Sequence, residues 1–228
     1  GDPGAPASAA LAARYEFTPG QLAGRFEYDL RPAKGAVGDW VFALDPGLRV
    51  TDVVATGRTG WGFDPPGPDG LRRLRVSLRQ PTAGGKILVA AVAPFPDRDR
   101  PTAAPLPAVR PVGAVLDDEA WELRLAPGLR AEDWNPGDYR VTDAQVLADQ
   151  TRVVSLTGTL LGPGPDRPFR RPPSFRPGFA DHDFTATEQV AWRFDGDRVT
   201  AAVRCGVRVR QGPVFQLTVR APAGYAFV

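Results

Sequence analysis

The chain has 228 residues, 43% of them hydrophobic, and a formal net charge of +2. This length suffices for one large β-sandwich or two smaller ones, and the hydrophobic content excludes a disordered chain. The small net charge does not favour nucleic-acid binding, so we expect no nucleic-acid partner. Glycine and proline contribute 25 residues each and lie between short apolar runs. This distribution is typical of a turn-rich all-β protein.

The beginning of the chain is rich in Gly, Pro and Ala, and we predict that residues 1–13 form a linker. Apolar residues then alternate with polar ones in short runs, which predicts β-strands rather than helices. The strands predicted in the first half are 14–18, 24–30, 40–44, 48–56, 71–79 and 86–93. Gly, Asp and Pro dominate residues 57–70, so this segment is predicted to be a loop.

A proline-rich stretch, residues 94–111, predicts a domain boundary. The strands predicted after it are 112–116, 121–125, 129–134, 139–142 and 152–156, and a long Pro/Arg/Phe loop follows at 162–182. The predicted fold class is all-β, with two consecutive antiparallel β-sandwich units at 14–108 and 109–228 and Pro/Gly-rich turns. One continuous sandwich is the alternative that the sequence leaves open.

A short internal repeat lies within this part of the chain. Residues 40–52 match residues 121–133 position for position, from a tryptophan through a Pro-Gly turn to an aspartate. Self-similarity of this kind indicates a repeated structural unit, which we interpret as a β-hairpin. Trp40 and Trp121 occupy the same position of the repeat and are predicted to pack in the core.

A longer repeat links the beginning of the chain to its last part. Residues 15–30 align without a gap with residues 192–207, so that Tyr15 corresponds to Trp192. Asp195-Gly196 favours a two-residue hairpin turn. We predict that Trp192 packs as Tyr15 does and that Cys205 is a buried thiol. Residues 214–217 match 41–44, and we interpret residues 187–228 as the start of a further repeat in a longer array.

Residue types that catalyse reactions or bind metals are sparse. His182 is the single histidine, between two aspartates that alternate faces in an extended chain, and Cys205 is the single cysteine. One cysteine allows no disulfide within the chain and no cysteine zinc site. The acidic clusters at 64–69, 117–119 and 195–197 fit turns rather than calcium-binding loops. We therefore predict no catalytic residue, no metal site, no cofactor and no enzymatic activity.

Two segments are candidate binding sites. Aromatic residues presented by loops beside Asp or Asn can stack on sugar rings, so the candidate ligand-binding residues are Trp61, Trp134 and Asn135; anchoring of the loops is the alternative. The Pro/Arg/Phe loop has the composition of a docking segment. Its candidate partner-binding residues are Phe169, Arg170, Arg171, Phe175 and Arg176. The alternative is that this loop wraps its own sandwich.

The repeated units of strand, Pro-Gly turn and strand resemble the uncharacterised tandem β-sandwich regions of large exported or envelope-associated bacterial proteins. The pattern Phe42-x-Leu44 followed by Leu48, Val50 and Val53, with the strand at 74–78, is similar to the all-β N-terminal domain of M1-type aminopeptidases. The sequence contains no zinc-binding or peptidase motif, so no catalytic residue follows from the resemblance. The resemblance implies a bacterial, exported protein of the periplasm, envelope or extracellular space.

We therefore predict a non-catalytic structural, adhesive or protein-interaction module of a larger exported bacterial protein. A carbohydrate-binding module that uses the loop tryptophans is the alternative. The expected partner is a protein or envelope component, with a polysaccharide or a homodimer through an exposed strand edge as further options. No run of about 18 apolar residues predicts membrane insertion, and no basic segment followed by an apolar one predicts a signal peptide in this sequence.

Overall fold

The computed structural model describes residues 7–94, 103–158, 169–179, 183–196 and 198–211. The residues in these ranges form strands, turns and extended segments with no helix among them, which confirms the all-β class. Consequently, none of the described residues belongs to a helix that could span a membrane. The strands are β1 (Ala7–Thr18), β2 (Gln21–Arg31), β3 (Val37–Leu44), β4 (Arg49–Ala55), β5 (Arg58–Asp64), β6 (Arg72–Thr82), β7 (Gly85–Pro94), β8 (Ala104–Pro105), β9 (Val109–Pro111), β10 (Ala114–Leu125), β11 (Leu129–Asn135), β12 (Tyr139–Val146), β13 (Arg152–Gly158), β14 (Ser174–Phe179), β15 (Asp183–Asp195) and β16 (Arg198–Gln211).

The chain divides into two compact units, residues 1–178 and 179–228. In the first unit, a seven-stranded sheet has the order β12-β13-β10-β1-β2-β7-β4. A four-stranded sheet has the order β5-β6-β3-β9, and a three-stranded sheet has the order β11-β14-β8. Strands β1 and β10 pair in parallel, and β1 pairs with β2 antiparallel. Apolar side chains alternate with polar ones along β1 and β2, so one face of the large sheet is buried.

Aromatic side chains of the seven-stranded sheet contact both smaller sheets. The ring of Tyr28 lies 5.0 Å from that of Phe42 in the four-stranded sheet, and its hydroxyl donates a hydrogen bond to the carbonyl of Val109 at 2.5 Å. Phe17 packs edge-on against Phe175 of the three-stranded sheet at 5.1 Å. Burial of such rings contributes about 1.5–3 kcal/mol each. One face of the large sheet therefore packs against both smaller sheets to form the core.

The seven-stranded sheet takes strands from both sides of the predicted boundary between residues 108 and 109. β1 and β10 lie in the middle of this sheet and pair along their length, from Ala7 with Ala114 to Phe17 with Leu125. In the proline-rich segment expected to separate the units, Leu106 and Ala108 are buried. Within the described residues, this boundary therefore falls inside a continuous sheet, because β10 returns to pair with the first strand.

Two segments that were predicted to be irregular contain strands. Residues 7–13, assigned to the linker, form the first part of β1, where Ala9, Leu11 and Ala13 alternate on the buried face. Alanine occupies both buried and exposed positions of residues 9–13, so the sequence shows no alternation of apolar and polar residues there. Residues 58–64, assigned to a loop, form β5, an edge strand that pairs with β6.

The short repeat is a corner between sheets, and its interpretation as a hairpin is wrong. In both copies the Pro-Gly turn closes a hydrogen bond, from Leu48 N to the Asp45 carbonyl at 3.3 Å and from Leu129 N to the Ala126 carbonyl at 3.0 Å. The turn leads from β3 in the four-stranded sheet to β4 in the seven-stranded sheet. The second copy leads from β10 in the seven-stranded sheet to β11 in the three-stranded sheet. Trp40 and Trp121 are buried, as predicted.

In the second unit, β15 and β16 form an antiparallel hairpin that turns after Asp195, as predicted. Its register repeats that of β1 and β2: Trp192 pairs with Ala201 as Tyr15 pairs with Gly24. The long-range repeat is therefore a repeated hairpin. Residues 214–217, which extend the repeat in the sequence, lie outside the described residues.

Two predictions about the interior of the second unit are wrong. Trp192 is half-exposed, whereas its counterpart Tyr15 is fully buried. Cys205 was predicted to be a buried thiol and is exposed. The alternation of apolar residues was identified correctly, but a two-stranded ribbon has no interior of its own.

Candidate functional site

The three candidate ligand-binding residues lie on two different sheets. Trp61 lies on β5 in the four-stranded sheet, and Trp134 and Asn135 lie on β11 in the three-stranded sheet. Trp134 is half-buried, with its ring 6.2 Å from that of Phe175. The side-chain oxygen of Asn135 accepts a hydrogen bond from the Gly137 amide at 2.9 Å, which stabilises a turn. These residues therefore belong to separate local contacts rather than to one aromatic platform.

The candidate partner-binding residues contact their own unit. Phe175 is buried, and Phe169 lies under the guanidinium of Arg110 at 5.4 Å. Arg171 forms an ion pair with Asp138 at 3.4 Å. These contacts agree with a segment that wraps its own unit.

Arg176 also lies in this wrapped segment. It forms ion pairs with Glu132 at 2.8 Å and with Asp133 at 2.9 Å. Both acidic residues belong to β11, so Arg176 ties β14 to its neighbour in the sheet. His182 lies outside the described residues.

Arg170, the remaining candidate, belongs to a buried polar cluster. Its Nη1 atom lies 2.5 Å from Oε1 of Glu119, and the hydroxyl of Tyr139 donates a hydrogen bond of 2.5 Å to Oε2 of the same carboxylate. Burial raises the pKa of Tyr139 well above its ordinary value, and the charge and hydrogen bond of Glu119 raise it further. The cluster joins Glu119 of β10 to Tyr139 of β12 and to Arg170 inside the unit, which is a structural role.

A groove of about 370 Å³ lies along the edge strand β5. Its lining includes Gly60, Gly62, Asp64, Arg75 and Ser77. Gly60 pairs with Ser77 and Gly62 pairs with Arg75, so these four residues share one face of the sheet. The backbone of the two glycines therefore forms the floor of the groove. The hydroxyl of Ser77, the carboxylate of Asp64 and the guanidinium of Arg75 surround it.

The charged groups of the groove are held in a row. Arg75 donates from Nε to Asp64 at 3.1 Å and from Nη1 to Asp39 at 3.4 Å, and its Nη2 atom lies 2.7 Å from Oδ2 of Asp64. The hydrogen bonds and charge of Asp64, and then those of Asp39, raise the pKa of Arg75. The row keeps planar donor and acceptor groups in fixed positions beside the groove.

Two aromatic residues of β5 flank the glycines. Trp61 and Phe63 pair with the buried residues Val76 and Leu74, yet they are 36% and 44% exposed because β5 is the edge of its sheet. Their rings are perpendicular with centroids 5.8 Å apart. The guanidinium of Arg72 lies 4.2 Å above the ring of Phe63. Because Trp61 and Phe63 alternate with the glycines, their rings lie on the opposite face of β5 from Asp64 and Arg75.

A second groove, of about 400 Å³, lies on the outer face of the seven-stranded sheet. Small side chains of Ala12, Ala120 and Ser155 line it. Of the charged residues beside them, Arg14 lies 2.9 Å from Glu122, and Glu27 accepts a hydrogen bond from Lys86 at 3.0 Å. This groove therefore has a floor of small side chains with ion pairs beside it.

The hairpin of the second unit carries a row of exposed apolar side chains on one face. Phe194 is 74% exposed and Val203 is 54% exposed. The corresponding residues of the first hairpin, Phe17 and Phe26, are buried. The same pattern of side chains is thus core in one unit and surface in the other.

The fold and these surfaces define an all-β protein with solvent-accessible grooves. Within the described ranges, no three His, Cys, Asp or Glu side chains converge in a way that could hold a metal ion. No protein-family model matches the sequence, and none of the curated proteins is significantly similar to it.

Trp61 was predicted from the sequence as a binding residue, whereas the polar residues of the groove along β5 were not. Asp64 and Arg75 meet only because β5 pairs with β6 in a particular register. The alternation Gly60-Trp61-Gly62-Phe63 was a usable signal for a strand with one bare face, but the glycines favoured a loop.

Proposed function

We propose that this chain is a non-catalytic structural or protein-interaction module of a larger exported bacterial protein. The first unit would serve as a rigid scaffold, and the hairpin of the second unit would contact a neighbouring module of the same kind. The exposed apolar face of β15 and β16 carries this proposal.

The repeat supports a neighbour of the same kind. In the first unit the equivalent face of β1 and β2 is covered by strands of the two smaller sheets, through contacts such as Phe17 with Phe175 and Tyr28 with Phe42. A face with the same register and the same apolar positions is suited to a similar partner. Exposed apolar rows of this kind are typical of interaction surfaces.

The buried polar groups of the first unit support the absence of catalysis. Glu119 and Arg170 neutralise each other, and the hydroxyls of Tyr15 and Tyr28 donate to the carbonyls of Pro107 and Val109. These groups are used for structure rather than aimed into a groove, whereas a catalytic site needs a reactive group that faces substrate.

Sedimentation velocity of the purified chain over about a hundredfold range of concentration tests the proposal. We expect concentration-dependent self-association, because a second copy supplies a module of the same kind. Replacing Phe194→Ser together with Val203→Thr should weaken association at least about tenfold by removing apolar area from the interface.

The matched control changes the opposite face of the same hairpin. Gln189 and Arg204 are cross-strand partners, and both are exposed. Gln189→Ser with Arg204→Ser should leave association unchanged. A wild-type chain that stays monomeric throughout, or equal effects of the two double variants, would contradict the proposal. So would a hydrolase activity that is lost when one carboxylate is neutralised.

A further inference from the structure

We propose that the groove along β5 binds a neutral saccharide on the bare backbone of Gly60 and Gly62. This binding site goes beyond the interaction role proposed for the hairpin of the second unit, and it uses different residues.

Glycine occupies two positions of β5 at which neither a positive φ nor a crowded neighbour excludes a side chain. Neither Gly60 nor Gly62 has a positive φ, and a Cβ atom at either position would meet no other atom within 4 Å. A register irregularity between Arg58 and Gly60 accounts for one glycine. Gly62 lies beyond this irregularity, so neither backbone conformation nor packing explains it. Glycine at such a strand position is typical of sites where a ligand approaches the backbone closely.

The walls of the groove carry both hydrogen-bond donors and acceptors. Asp64 and Arg75 present a planar carboxylate and a planar guanidinium, and Ser77 adds a hydroxyl. Arg75 has five N–H donors, and its three bonds to Asp39 and Asp64 leave donors that can reach a ligand. Adjacent sugar hydroxyls both donate and accept, so they match such a mixed set of planar groups.

The charges that line the groove are balanced. The side chains that line the groove carry one negative charge, on Asp64, and one positive charge, on Arg75. Asp39 adds a further negative charge behind Arg75. An anionic polymer would therefore gain little from this site, which favours a neutral saccharide over an acidic one.

The aromatic residues of β5 lie next to this site rather than in it. Trp61 and Phe63 also line the groove, but they alternate with the glycines, so their rings lie on the opposite face of the strand, with Val76 and Leu74. A peptide strand would instead require the free backbone edge of β5 and would not need hydroxyl, carboxylate and guanidinium groups around a glycine floor. The polar lining therefore favours the saccharide.

The experiment measures binding of the purified full chain to soluble β-glucan and mannan as neutral probes, with polygalacturonate as the acidic probe. Affinity electrophoresis or titration calorimetry reports the binding, and thermal melts report folding. Gly62→Thr fills the floor of the groove with a side chain suited to strands, so it should weaken binding of a neutral probe at least about tenfold without lowering the melting temperature. Gly60→Thr should act in the same direction.

Gly85→Thr is the matched control. Gly85 is an exposed glycine of β7 that also lacks a positive φ and has open space at its Cβ position. This variant should bind as the wild type does. Three results would overturn the proposal: neither neutral probe binds, polygalacturonate binds as tightly as the neutral probes, or Gly62→Thr binds like the wild type. Self-association or peptide capture through β5 without saccharide binding would assign the edge to protein partners instead.

Discussion

Glu119 and Arg170 form an ion pair of 2.5 Å, with 4% and 6% of their side chains exposed. The pair joins the middle of β10 to the segment that leads into β14, and Nη1 of Arg170 also donates to the carbonyl of Leu116 at 3.3 Å. Because both charges are removed from water, each one depends on the other for compensation.

Arg170→Met should therefore be strongly destabilising, since it leaves the Glu119 carboxylate buried without its cation. We expect a loss of about 3–5 kcal/mol in the free energy of unfolding, measured by urea denaturation. Arg171→Met is the matched control, because Arg171 pairs with Asp138 at the surface and should lose no more than about 1 kcal/mol. Similar losses for the two variants would show that the buried ion pair contributes no more to the free energy of unfolding than the surface pair.

Alkaline pH should destabilise the first unit through its buried tyrosines. Burial raises the pKa values of Tyr15, Tyr28 and Tyr139, so the folded protein keeps protons that the unfolded chain releases above about pH 10. Stability should be fully present below about pH 10 and should then fall by about 1.4 kcal/mol per pH unit for each tyrosine.

The check is urea denaturation at several pH values between about 9 and 12, on the wild type and on Tyr139→Phe. The variant loses one titrating group, so its stability should fall less steeply with pH, whatever its stability at neutral pH. Equal slopes for the two proteins would contradict the assignment to Tyr139.

The corner turns should require glycine. Gly47 has a φ of 87°, a conformation that costs a residue with a side chain about 1–2 kcal/mol, so Gly47→Ala should lower the melting temperature. Gly38→Ala is the control, because Gly38 in β3 has no positive φ and open space at its Cβ position. The control should be neutral or slightly stabilising. A Gly47→Ala protein as stable as the control would exclude backbone strain at the corner.

The sequence predicted most strands and the two core tryptophans, because local alternation determines which side chains share a face. It could not predict which sheet a strand joins. Pro19-Gly20 and Pro46-Gly47 contain the same two residues with similar glycine φ values, 82° and 87°. The first closes a hairpin between β1 and β2, whereas the second sends β4 across to pair with β7. A turn is local, but the partner of the next strand is distant in sequence.

The candidate site was predictable only in part for the same reason. Trp61 was identified from its own neighbours in the sequence, but Asp64 and Arg75 come together through strand register. Arg170 was assigned to a docking segment because arginine is common at interfaces. Its partner Glu119 lies in a different part of the sequence, so nothing local showed that the charge would be buried.

Labelling of Cys205 by a thiol reagent tests the proposed association surface most directly. Cys205 is exposed and lies on the same face of β16 as Val203. We predict fast labelling of the native chain at low protein concentration and progressive protection as the concentration rises. Phe194→Ser with Val203→Thr should abolish the protection, and Gln189→Ser with Arg204→Ser should preserve it. A labelling rate that does not depend on protein concentration would contradict association through this face.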